Sequence, residues 1–287
     1  MLSILKRELR SYCNSMIAYI YMAIFLIVIG IYFVVYNLVY AVASFQLVLN
    51  GVQFLFVIIV PILTMRLLAE ERKQKTDQLL LTSPLTITKI VLGKYFAALA
   101  LFVMSMLVIC FYPLILTQYG DIDLSIAYSC IFGFTMLGAA YLAIGLYISS
   151  ITENQVIALI ITAVVILISN IMPSIISMLP SDHETALLIC TILLLMVCVI
   201  AYVGMHNLTI SIALAILSET ALVILYFVKP SFYDGIVSNV LGVFSLGERY
   251  TNFAIGILDV NCLVYYFSII CLFVLLTIQT IKKRRWN

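Results

Sequence analysis

Eight long apolar runs, parted by short polar breaks, set the pattern of this chain: residues 16–38, 47–68, 91–116, 124–148, 155–179, 186–203, 207–228 and 260–281. A membrane-crossing helix needs roughly 20 mostly apolar residues, and every run approaches or exceeds that. A spanning barrel shows instead segments of about 10 residues with alternating polarity. The pattern therefore predicts an all-α polytopic membrane protein of about eight transmembrane helices.

Ahead of the first run, Leu2, Leu5, Leu9, Tyr12, Cys13 and Met16 recur at helical spacing, with Lys6, Arg7 and Arg10 on the other side. This predicts either a helix over 1–15 lying in the membrane interface or a basic anchoring leader, and the spacing does not choose. The first run is too long for a cleaved leader and lacks a small-x-small site, so it is expected to stay as an anchor. Between the second and third runs, residues 69–90 read as a charged helix with an apolar Leu79–Leu81 patch, broken at Thr82-Ser83-Pro84. Thr86 or Thr88 is the expected cap of the next helix. A partner-docking surface fits this segment better than a merely solvated loop. Within 229–259, Phe232, Ile236, Val240 and Phe244 recur every four residues. They predict one or two short amphipathic helices at the outer interface, or a re-entrant hairpin, interrupted by Gly242 and Gly247.

Composition narrows the class. Of 287 residues, 65% are hydrophobic and 10% charged, with mean hydropathy +1.21, against about 45–50% and 25% in soluble domains. A single transmembrane domain over 1–287 leaves no room for a soluble catalytic domain, so any energy source is expected on another chain. Charge then orients the spans. With the amino terminus inside, Lys6, Arg7, Arg10, Arg66, Arg72, Lys73, Lys75, Lys89, Lys94 and Lys282–Arg285 all fall inside, and only Lys229 and Arg249 outside. Both termini are expected to be cytoplasmic in a cell membrane, with Trp286 as an interface anchor. No nucleic-acid partner is expected.

Candidate chemistry is sparse. The cysteines Cys13, Cys110, Cys130, Cys190, Cys198, Cys262 and Cys271 lack C-x-x-C spacing and read as packing residues. His183 and His206 have no ligand-spaced neighbour, so no metal site is expected. Glu70-Glu71 followed by Lys75 is a poor match to an intramembrane glutamate protease. Gly93-Lys94 lacks the first glycine of a phosphate loop, and Tyr95 stands where a hydroxyl residue is needed. No catalytic residue is expected. Glu219, inside a run, either carries a cation or proton or is a hydrogen-bonded glutamate facing other helices. Asn170 is expected to satisfy backbone groups at a helix irregularity, and with Glu219 it is a candidate for a polar pathway. Gly133, Gly138, Ala139, Ala140, Ala143 and Gly145 form a close-packing seam, within one chain or between two.

Three blocks carry a resemblance. The run LTMRLLAEERKQKTDQLLLTSP over Leu63–Pro84, with Ile90–Lys94, resembles type-2 ABC transporter permeases of the gliding-motility class. Ile144–Gln155 resembles that family's second intracellular turn. Phe244–Leu246, Gly256–Asp259, Tyr265–Ser268 and Lys283–Trp286 are similar to its carboxyl-terminal pattern, and Lys6–Tyr12 to its beginning.

The resemblance implies a permease subunit, driven by separate cytoplasmic ATPase subunits that carry ATP and Mg, and paired with a second permease, identical or related. No cofactor is implied on this chain. Glu70, Glu71, Arg72, Thr76, Leu80, Thr82, Ser83 and Pro84 would form the ATPase-coupling segment. Ser150, Thr152, Glu153, Asn154 and Gln155 would form a second contact. The family has Gly where this chain has Lys75. Many relatives have six spans, so 186–228 would be an extra helical hairpin. Alternating access is the implied mechanism, in a bacterial plasma membrane, with export the default and a lipid-like or amphipathic cargo favoured. The rivals are an intramembrane enzyme and an ATP-independent carrier or channel using Glu219.

Overall fold

Hydrocarbon offers no partner for a free backbone amide, so spanning segments close their hydrogen bonds within helices. The computed structural model describes residues 2–75, 86–120, 122–178 and 236–286, with Thr191, Leu194 and Thr220. All regular structure among them is helical. Six helical stretches are long and apolar enough to cross a membrane: Ala18–Val39, Phe45–Lys73, Ile87–Leu116, Leu124–Ile151, Gln155–Met178 and Val260–Arg284. They coincide with six of the eight predicted runs. The runs 186–203 and 207–228, with Glu219, His183 and His206, lie outside the described residues.

The chain divides into two units, Met1–Asn170 with Leu246–Asn287, and Ile171–Ser245. In the first unit, helix α1 (Leu2–Cys13) leads into α2 (Met16–Phe33) and a π-helical stretch Val34–Val39. Ile4 and Tyr12 are buried while Lys6, Arg7 and Arg10 are exposed, and α1 packs against α2 and the third span. This is a docked amphipathic helix. Cys13, grouped with the apolar face by spacing, is exposed at the helix end.

The second run is one apolar stretch in sequence but three pieces in space. Helix α3 (Phe45–Val52) passes through a 3-10 turn at Gln53–Leu55 into α4 (Phe56–Thr64). Pro61 lies inside α4 and lacks an N–H to donate. After a short turn, α5 (Ala69–Lys73) closes this stretch. The third span is α6 (Ile87–Ile109) with α7 (Phe111–Leu116). Thr86 takes the N-cap position of α6, but its side chain makes no capping bond.

Helix α8 (Leu124–Ile151) is the post of the unit. In its most apolar window 78% of residues are buried, against 22% in the following span, α9 (Gln155–Met178). Its small residues explain that position, because they let neighbours reach its backbone. A Cβ on Gly133 would strike Phe253, one on Gly138 the rings of Phe102 and Phe56, and one on Gly145 the side chain of Thr64. The seam that the sequence left open thus faces other helices of the same chain. Phe56 stacks on Phe134 there, ring centres 4.5 Å apart, and meets Tyr141 at a tilt.

In the second unit, α10 (Ile236–Gly242) is helical, and Val240 and Phe244 are exposed. Phe232 lies outside the described residues. Chain continuity leads back to the first unit, where α11 (Tyr250–Ala254) packs against α8. Leu246, Tyr250 and Phe253 are buried, so this part of 229–259 is folded into the unit rather than laid on an interface. Phe253 meets Gly133, nine residues into α8, or about 14 Å from its end at 1.5 Å per residue. The non-helical Leu246 survives there because its N–H donates to Ser169 Oγ at 3.2 Å and its carbonyl accepts from Tyr266 at 2.8 Å. Helix α12 (Val260–Trp286) completes the unit against α8.

Gly133→Ala and Gly145→Ala should each lower stability by about 1–3 kcal/mol through overpacking, because they meet side-chain stems rather than free ends. Gly242→Ala, with open space around it, should change little. Unfolding midpoints in detergent check the contrast.

Candidate functional site

Basic residues in the sequence mark one end of the spans, and there the structure brings α1, α5, α6, the end of α8 and the end of α12 together. The junction is built around α5, whose five residues cannot hold a helix by propensity alone. Ser149 of α8 supplies what the local sequence lacks: its hydroxyl accepts from the N–H groups of Leu68 and Ala69 at 3.2 and 3.1 Å. These are the unpaired donors that every helix start presents.

Arg72 of α5 then reaches the turn after α8. Its guanidinium donates to the Ser150 carbonyl and to Glu153, both at 2.9 Å. The two segments expected to form separate contacts are therefore joined by one side chain. From the other side, Arg284 of α12 donates to the Ile151 carbonyl at 3.2 Å. Thr152 bonds back to Ile148, and Asn154 caps α9 by accepting from the Val156 N–H, with Gln155 opening that helix.

Beneath Arg72 lies a buried charge cluster. Lys94 of α6 is 1% exposed, and its ammonium donates to Glu71 at 2.7 Å and to Glu8 at 3.4 Å. Arg7 joins both carboxylates, at 2.7 Å to Glu8 and 3.7 Å to Glu71. Two cations and two anions cancel, which is the condition for burying such groups. Glu8 also holds the Arg7 guanidinium above its ordinary pKa, through its hydrogen bond. Gly93 makes the cluster reachable, because Ile4 of α1 sits where its Cβ would be. Burial pushes the Tyr12 phenol well above its ordinary range, so a neutral hydroxyl donates to the Leu63 carbonyl at 3.3 Å. Glu70 pairs with Arg66 at 3.0 Å.

Of the expected coupling residues, Glu70, Glu71, Arg72, Ser150, Thr152, Glu153, Asn154 and Gln155 thus gather at this end. Thr76, Leu80, Thr82, Ser83 and Pro84 lie outside the described residues. Sequence reasoning missed the central member, Lys94. Its signal was a lone ammonium inside an apolar run, which demands a buried partner. Ser149 and Glu8 gave no such signal, since only the fold brings them near α5 and α6.

Elsewhere, Asn170 donates to the Ile166 carbonyl at 3.0 Å and accepts from Gln53 at 3.4 Å. Gln53 sits at the 3-10 break, so the pair joins the irregular second span to the fifth. Among the described residues no group of His, Cys, Asp and Glu is arranged to hold a metal ion, and the described cysteines are free thiols.

A family model described as ABC-2 family transporter protein matches residues 2–209. The chain belongs to that family and is a type-2 ABC transporter permease, the membrane component rather than an enzyme in itself. No curated protein matches it.

Lys94→Met leaves the half-buried Glu71 and Glu8 with Arg7 as their remaining cation and should destabilise the chain by about 3 kcal/mol. Arg72→Ala, whose partner Glu153 is 76% exposed, should cost only about 1 kcal/mol. Detergent melting curves separate the two. Lys75 sits at φ +56° in the left-handed region. Lys75→Gly should therefore be tolerated, whereas the β-branched Lys75→Val should destabilise by about 1–2 kcal/mol; the same melts decide.

Proposed function

We propose that the chain is the membrane subunit of an ATP-driven exporter of the gliding-motility-like class. Separate cytoplasmic ATPase subunits, carrying ATP and Mg, dock on residues 69–90 and Ser150–Gln155, and a second permease completes the pathway. The observation that carries this reading is the bridge from Arg72 to Ser150 and Glu153. It ties Ala69–Lys73 of the first contact segment to the turn that holds the second, so a push on either is passed to α8, the central helix. The Lys94 cluster extends the same connection to α1 and α6.

In this reading the junction faces the cytoplasm, in a bacterial plasma membrane with both termini inside, in keeping with the basic residues gathered there. ATP-driven closure of the ATPase pair displaces the junction, and the spans repack around it. The apolar faces of the spans suit a lipid-like or amphipathic cargo entering from the bilayer.

Extraction of the tagged chain in mild detergent tests the reading. A soluble ATPase should copurify, and the complex should hydrolyse ATP. Arg72→Ala should leave the chain folded but reduce the retained ATPase by about tenfold, on the order of one charge-assisted contact. A chain that purifies alone, from cells where no ATPase can be crosslinked to it, overturns the proposal.

A further inference from the structure

Every ion pair among the described residues lies at the coupling junction. Arg249 stands towards the other end of the spans, in the non-helical turn that leads into α11.

Its depth is set by bonds on both sides of it in the chain. The Leu246 carbonyl accepts from Tyr266, six residues from the start of α12. The Tyr250 hydroxyl and the Cys130 thiol meet at 2.7 Å, likewise six residues from the start of α8. Six residues of helix rise about 9 Å, so the turn lies about that far in from the span ends. A Cβ on Gly247 would strike Gln53 of the second span, which pins the turn from a third side.

The guanidinium is held at this level. It lies over the Tyr265 ring, 4.2 Å from its centre, and its Nε is sealed off without a hydrogen-bond partner. The residue as a whole is only partly buried, so the two terminal nitrogens form its open edge. Neither acid of the surrounding segment answers it. Glu248 is exposed and forms no ion pair among the described residues. The Asp259 carboxylate accepts instead from the Asn261 N–H at 2.9 Å and from the Asn252 amide at 3.4 Å.

A cation at membrane depth calls for an anion, and the open edge of a guanidinium is a two-pronged donor that matches a phosphate or a carboxylate. That anion has to reach the turn through hydrocarbon. A small hydrated ion would shed its water there with nothing to compensate. An amphipath keeps its tail in the bilayer while its head meets Arg249. We propose that Arg249 anchors the anionic head of an amphipathic ligand, a phosphate- or carboxylate-headed lipid-like molecule. Tyr265 and the pinned turn preset the guanidinium, so little ordering is needed on binding. That this ligand is the cargo rests on the transport reading above; the binding itself does not.

The test uses the full chain in a neutral detergent, with a phosphatidic acid that carries a photoreactive group beside its phosphate. No ATPase is present, so the outcome is independent of the copurification experiment. Label should map to residues 246–268. Arg249→Gln should reduce it about tenfold, the size of one charge-assisted contact, and Arg249→Lys should retain much of it. Label at the basic Lys282–Arg284 end should be the same in both. Unlabelled phosphatidic acid should compete, and diacylglycerol with the same tails should not. Thermal midpoints identify variants that remain folded, and Tyr265→Leu, expected to lower the label severalfold, replaces Arg249→Gln if that variant does not. No label over 246–268, equal competition by diacylglycerol, or unchanged label in folded Arg249→Gln overturns the proposal. Competition by excess inorganic phosphate at constant ionic strength assigns the site to free anions and overturns the amphipathic ligand, while failure to compete supports it. Label that appears only in Glu219→Gln makes Glu219 the internal partner of Arg249 and likewise overturns it.

Discussion

Close approach to the backbone of α8 is the constraint on which the rest depends. Apolar side chains gain nothing by leaving lipid for protein, so helices in a bilayer associate through packing contact and polar bonds. At Gly133, Gly138 and Gly145 the neighbours press onto bare backbone. Phe253, Phe102, Phe56 and Thr64 occupy the space so released. Other elements are thereby held to one post, and polar bonds can then form at fixed distances. Tyr95 to the Ala139 carbonyl, at 3.1 Å, and Tyr141 to Ser169, at 3.4 Å, are bonds of this kind.

Two departures from regular helix are carried by that frame. The segment at Leu246 brings non-helical backbone deep among the helices, and the side chains of Ser169 and Tyr266 answer its N–H and carbonyl. The short α5 is held in the same manner, by Ser149 from across the fold. In both places a hydroxyl on a long helix answers backbone groups that the local sequence leaves unpaired. Charge follows the same logic, since Lys94 is buried only where Glu8 and Glu71 converge on it.

For the proposed coupling, this means that stiffness is built from few parts. Arg72 joins the turn after α8, Lys94 joins α6, and Arg7 with Glu8 joins α1. Displacement of α5 is then shared by three helices rather than absorbed by a loop. Among the described residues the basic groups, Arg249 apart, are concentrated at that one end.

Six of the eight expected spans and the all-helical class were legible in the sequence, because a run of apolar residues long enough to cross the bilayer has few other stable conformations. Basic residues likewise marked which span ends lie together. Resemblance named the family, and spacing found α1 with Tyr12 on its buried side, though Ile4 rather than Cys13 or Met16 completes that face. Only the tertiary structure decided that the glycine seam is used within the chain, that the second run breaks at Gln53, and that residues 246–254 fold inward. It also decided that Arg72 unites the two expected contact segments and that Lys94 is the centre of a cluster. Hydropathy is a property of neighbouring residues, whereas these bonds join positions far apart in the chain. Their geometry exists only once the helices have packed.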